Sequence, residues 1–132
     1  MTFDARAIFA NLAEKERIKG HHSPEGRAIR TLSRALNGWS SGSLSRRDVA
    51  VLCDQAMQDW LHIRLKRSPW SFQAMPVLLS EARSEGWLTP AEADRLHDVH
   101  ELRSRADRQG EIATPDVEAA LEFCIQLVEK HW

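Results

Sequence analysis

A guanidinium is costly to bury without a partner, yet Arg103 stands in an apolar stripe. Leu96, Val99, Arg103 and Ala106 recur at three- and four-residue spacing and so share one face of a helix. His100 lies one turn before Arg103, Asp107 one turn after it, Ser104 beside it and Arg108 just beyond. This grouping suits recognition of an anion. The guanidinium offers a planar fork that matches a phosphate, and an imidazole one turn away can give and take a proton near neutral pH. Asp107, at i,i+4, can pair with Arg103 and compete with a phosphate for it. Arg103, Ser104, Asp107 and Arg108 are therefore the candidate anion-binding residues, and His100 is the candidate catalytic residue. The same spacing also suits a structural role, in which Arg103 snorkels at the edge of the core and holds a helical ion pair.

The elements that must position these residues are two helices joined by a polar turn, from Trp87 to the C-terminal end. Thr89-Pro90-Ala91-Glu92 is a helix start, with Thr89 as N-cap, Pro90 at the first helical position and Glu92 closing a capping box. Thr114-Pro115-Asp116 reads the same way, with Thr114 as N-cap and an acid in the first turn. Gly110 between them is the expected C′ residue. Val117, Ala120, Leu121, Cys124, Leu127 and Val128 form the buried stripe of the last helix. Glu101 and Arg105, at i,i+4, are expected to form a surface ion pair.

The preceding chain supplies further helices. Asp4 can cap one that runs to about Ile18, with Ile8, Phe9 and Leu12 on one face, before Gly20-His21-His22 ends it. Ser23-Pro24-Glu25 starts a second, with Ala28, Ile29, Leu32 and Leu36 buried, and with Arg27, Arg30 and Arg34 along another side. That arginine row reads as a solvated face or as a phosphate-facing strip. The run from Asn37 to Ser43, rich in Gly and Ser, reads as a mobile loop at about 37–44, with Trp39 as an anchor or an exposed contact. Ser45, with Asp48 three residues on, opens the longest helix, to about Lys66, and gives it a broad apolar face of Val49, Leu52, Cys53, Ala56, Met57 and Trp60. Ser68-Pro69-Trp70-Ser71 breaks the chain ahead of a fourth helix from about Phe72 to Ser84, with Pro76 in its first turn or at a kink. No alternating strand pattern occurs. The fold class is all-α, one domain over residues 1–132, an up-and-down bundle of five to six helices.

The stretch VHELRSRADRQGEIATPDVEAALEFCIQLVE resembles the C-terminal signature of the HEPN superfamily (higher eukaryotes and prokaryotes nucleotide-binding domain). In that family a helix carries an arginine, a polar residue and then a histidine before a polar turn and a long amphipathic last helix. Arg103 matches the family arginine, Ser104 the polar position and Gly110 the glycine, and the likeness covers about the last third of the chain. The family histidine is replaced by Arg108 or Gln109, and no histidine follows Arg103 until His131. In nuclease members the resemblance implies that Arg and His from two protomers meet at a dimer interface and cleave RNA without a metal. Here it implies a homodimer that binds RNA or a nucleotide through Arg103, with at most weak, metal-independent ribonuclease activity. His100 is the one substitute for the missing histidine. The alternative is a helical interaction or regulatory protein that engages a protein partner through a dimer face, with no nucleic-acid ligand.

Composition narrows the remaining classes. The chain has 132 residues with 42% hydrophobic and 28% charged content, ordinary values for one globular domain. No apolar run reaches the roughly 18 residues a membrane span needs, and the first twenty residues lack a signal-peptide pattern, so a cytoplasmic location with no membrane partner is the expectation. Two cysteines, Cys53 and Cys124, lie in apolar helical patterns and read as buried free thiols. Charge is uneven: through Arg67 there are twelve Lys and Arg against seven Asp and Glu, and from Ser68 onward six against twelve. Packing of the two halves on one another, or a basic face toward nucleic acid, accounts for that asymmetry. The chain has no Gly-rich phosphate loop, Cys-x-x-Cys pair or nucleophile elbow. Asp94-x-x-His97 lacks the second copy that a carboxylate-bridged metal bundle requires, and His97 with His100 has the weaker i,i+3 spacing. Neither a metal nor a cofactor is expected.

Overall fold

Three of the sequence-encoded helix starts form as the capping chemistry demands. The computed structural model describes residues 5–20, 23–66 and 74–131. Ser23 accepts the Gly26 amide through Oγ at 2.9 Å. Ser45 and Asp48 exchange bonds of 3.1 and 3.3 Å in a complete capping box. Thr89 and Glu92 do the same at 3.1 and 2.9 Å. Each box satisfies backbone N–H groups that a helix start otherwise leaves to water.

Six helices occur among the described residues, with no strand: α1 (Ala5–Lys19), α2 (Pro24–Ser41), α3 (Arg46–Arg64), α4 (Met75–Ser84), α5 (Pro90–Asp107) and α6 (Thr114–Lys130). They pack as an all-α bundle. α3 is central and touches α2, α4, α5 and α6. Its Cys53, Met57 and Leu61 are wholly buried, with Leu96 of α5, Leu78 of α4, Leu121 of α6 and Leu32 of α2 in the same core. Each fully buried side chain of the Leu or Met class stabilises the fold by about 1.5–3 kcal/mol. α1 lies at the margin, where its backbone approaches α2 and no other element. Leu12 is its wholly buried side chain, and an Asn11 amide bond to Glu129 reaches α6.

Several boundaries differ from the expectation. The supposed loop from Asn37 is helical through Ser41, and the chain turns at Gly42, which takes φ +75°. Packing overrides the local Gly and Ser content here. Gly38 is buried, and a Cβ built on it would come within 2.2 Å of Leu44 Cδ1, so the residue admits the returning chain. Trp39 is half-buried against the core, as an anchor would be. α4 is described from Met75, with Ala74 as N-cap and Pro76 in its first turn, and the expected start at Phe72 lies outside the described residues. Asp4, His21, His22 and the Ser68–Ser71 break lie outside the described residues. α6 starts one residue early, so Ala113 is the N-cap, Thr114 is already helical, and no side chain caps this end. At the end of α5, Gln109 rather than Gly110 adopts the left-handed conformation, with φ +58°. Gln109 N–H donates to Ala106 O at 3.1 Å and Gly110 N–H to Arg105 O at 2.8 Å, a Schellman turn displaced by one position.

One end of the bundle is closed by aromatic and cationic groups. The Arg64 guanidinium lies 5.6 Å from the Trp60 ring and 5.5 Å from the Trp87 ring, and its Nη2 donates to His131 O at 3.0 Å. The His131 ring packs 5.5 Å from Trp60. These contacts fasten the end of α3 to the end of α6 and to the turn before α5.

Candidate functional site

The apolar stripe of α5 meets α3 at a buried carboxylate. Asp54 shares a helix face with Ala50, Met57 and Leu61, at spacings of four, three and seven residues, and it is the one charged residue among those described that is wholly buried. A bare charge in such a place would cost several kcal/mol, on the order of the penalties known for buried ions. Three donors meet it instead. Its Oδ1 accepts from His100 Nδ1 at 3.1 Å. Its Oδ2 accepts from Gln58 Nε2 at 2.8 Å and from Arg103 Nη1 at 3.0 Å. Gln58 reaches it from the next turn of α3, whereas His100 and Arg103 come across from α5. Both oxygens are therefore satisfied, and the bond to the guanidinium is of the stronger, charge-assisted kind.

The half-exposed parts of this cluster are the ones that can meet a ligand. The His100 and Arg103 side chains keep 26% and 28% of their surface accessible, against none for Asp54. An ionised carboxylate only accepts, so His100 must donate through Nδ1, which leaves Nε2 as the acceptor of a neutral ring. Arg103 Nε also lies 3.5 Å from Asp107 Oδ2, so the expected i,i+4 pair is present. Two acids thus hold Arg103, one buried and one exposed.

Below the carboxylate lie two thiols. Cys53 and Cys124 are free and buried. The Cys53 thiol that hydrogen-bonds Cys124, together with burial and the nearby Asp54 charge, pushes the Cys124 thiol well up, so it stays protonated.

The structure brings together some of the residues picked from sequence and separates others. His100, Arg103 and Asp107 occupy one edge of α5. Ser104 is half-buried on the same helix, and its carbonyl accepts the Arg108 amide at 3.1 Å. Arg108 is the exposed C-cap of α5, and no bond joins it to Arg103 among the described residues. Glu101 Oε1 lies 3.9 Å from His97 Nε2, and among the described residues no ion pair joins it to Arg105 as i,i+4 spacing suggested. Among the described residues no three His, Cys, Asp or Glu side chains gather as metal ligands, and no helix is long and apolar enough to cross a membrane.

Asp54 and Gln58 are the site residues that sequence reasoning passed over. The signal was present. A carboxylate in the apolar stripe of one helix and a guanidinium in the apolar stripe of another are natural partners, and the argument that singles out Arg103 applies equally to Asp54. Arg47 was also passed over: its Nη2 donates to Ala106 O at 2.7 Å, so the start of α3 ties down the last turn of α5. Compared with protein-family models, curated proteins and solved structures, the chain finds no match.

Proposed function

We propose that this chain is a HEPN-like helical domain that binds RNA or a nucleotide through Arg103, acts as a homodimer, and cleaves RNA slowly or not at all. One observation carries the reading: a wholly buried carboxylate, Asp54, holds two half-exposed groups that suit phosphate chemistry, His100 and Arg103, on one helix edge. Such bracing fixes both side chains before a ligand arrives and lowers the entropy lost on binding. Arg103 has five N–H donors, and the Asp54 and Asp107 contacts engage those on Nη1 and Nε. The remaining donors can take a phosphate oxygen. The two acids hold negative charge beside that position, which weakens a phosphate's grip and accounts for slow chemistry. His100, with Asp54 on Nδ1, keeps Nε2 as the acceptor that a general base needs.

The same two acids favour a second reading. An arginine held between carboxylates is what a purely structural ion pair looks like, and it fits a helical interaction domain with no nucleic-acid ligand.

The test is incubation of the purified protein with single-stranded RNA, without metal, beside Arg103→Ala and His100→Ala, with light scattering to report mass. The expected result is a dimer that binds RNA, binds it about tenfold more weakly as Arg103→Ala, and cleaves little; a charge-assisted contact of about 1.4 kcal/mol is a factor of ten. Robust cleavage lost in both variants would make this an active ribonuclease with His100 as catalyst. Absence of RNA and nucleotide binding in the wild type would leave the interaction domain.

A further inference from the structure

We infer a second phosphate-binding site, in the cleft where the start of α3 meets the turn between α5 and α6. The cleft has a volume of about 470 Å³ and is lined by Arg46 and Arg47 from α3 and by Arg105 from the end of α5. That volume lies in the range of small-ligand pockets, roughly 300–1,000 Å³. Arg105 is two residues from Arg103, so on a helix it points to the other side of α5, away from Asp54. The two sites are separate.

The cations of the cleft are short of partners. Glu111 and Asp116 line it too, yet neither forms an ion pair with Arg46 or Arg105 among the described residues. Glu101, one turn before Arg105, forms no ion pair with it among the described residues; its Oε1 lies 3.9 Å from His97 Nε2. Arg46 and Arg105 are both exposed, so their forks are open to solvent and to a ligand. Arg47 differs: its bond to Ala106 O fixes the guanidinium at the cleft wall. Three guanidinium groups from two helices against the two carboxylates of Glu111 and Asp116 leave the cleft with an excess of positive charge, which an anion offsets. A phosphate is the anion whose oxygens fit the guanidinium fork two at a time. Ile112, buried beneath the turn, gives the cleft an apolar floor. The ligand class is a phosphate group, whether on a free nucleotide or within an RNA strand.

The site is tested on the full chain by calorimetric titration with inorganic phosphate, with adenosine 5′-monophosphate and with a short single-stranded oligoribonucleotide. The variant is the double substitution Arg46→Gln and Arg105→Gln. Both side chains are exposed and make no bond to the fold among the described residues, and Arg47 is left intact because it ties down α5. A matching thermal melt confirms folding. Binding of the mononucleotide lost in the double variant assigns the cleft to free nucleotides. Binding of the oligonucleotide alone, weakened about tenfold or more with a shallower salt dependence, assigns it to the phosphates of a strand. Unchanged affinity for all three probes, or no binding of any by the wild type, overturns the site. Arg103→Ala run alongside separates the two sites: weakening there with none in the double variant leaves the proposed function standing and removes this one, and the opposite pattern does the reverse.

Discussion

Replacing Asp54 by alanine removes the acceptor for three donors at once, and its cost can be worked from the geometry. Hydrogen bonds to a charged group are worth about 1.5–3 kcal/mol each, and breaking a buried ion pair from one side costs about 3–5 kcal/mol. Those figures apply to donors left stranded. Here the stranded groups are Arg103 and His100, whose side chains are 28% and 26% exposed, so water can take over part of their bonding. The Gln58 amide is half-buried and can also turn toward solvent. The expected loss is therefore about 2–3 kcal/mol, below the range for a fully enclosed pair. In a chain of this size that lowers Tm by about 6–12 °C. Asp54→Asn tests the charge separately, because its amide turns one acceptor into a donor that faces the donors of α5. Urea denaturation of Asp54→Ala, Arg103→Ala and the double variant gives the coupling between the two residues, expected at about 1–2 kcal/mol. An Asp54→Ala protein within about 0.5 kcal/mol of wild type, the scatter of ordinary surface substitutions, would refute the reasoning. So would a coupling indistinguishable from zero.

Two other perturbations probe the frame around the site. Gly38→Ala drives a Cβ to 2.3 Å from Leu44 Cγ and 3.0 Å from Leu44 Cβ, so the turn after α2 has to shift; a loss of about 1–3 kcal/mol is expected in chemical denaturation, and an unchanged midpoint would show that the turn yields freely. Burial holds the His131 imidazole below its ordinary range; the charges of Lys130 and Arg64 act in the same direction, and that of Glu92 opposes them. The unfolded chain therefore takes up this proton first as pH falls, so the stability tied to neutral His131 is present above about pH 6.5 and lost on acidification toward the folded value. His131→Phe is expected to flatten the decline of Tm between pH 7.5 and 5, and parallel profiles for the two proteins would count against this.

The all-α class and most helix positions could be read from the sequence because caps and apolar periodicity act locally. Ser23, Ser45 and Thr89 show this directly, each bonding the amide that its position in the sequence designates. The failures lie where a distant residue decides. Gly38 reads as a loop residue until Leu44 is seen packed on it. Thr114 is a better N-cap by type than Ala113, yet the helix starts earlier. The site was half visible. Periodicity marked Arg103 as a charge that must find a partner, and Asp107 was the only partner local sequence could name. The stronger one, Asp54, is 49 residues away, and only the packing of α3 on α5 brings it there.

The marginal place of α1 gives the molecule a stability gradient. A helix whose backbone approaches only one neighbour can detach while the rest of the bundle keeps its own contacts, so its opening free energy is set by the α1–α2 seam rather than by global unfolding. Amide protons of α1 then exchange with solvent ahead of those of α3, which is walled in by four helices. A side-chain bond from the Asn11 amide to Glu129 also joins α1 to α6. Opening of α1 gives up that bond, while the Arg64 bond to His131 O, the Trp60–His131 packing and the Lys130–Glu92 pair keep the end of α6 in place.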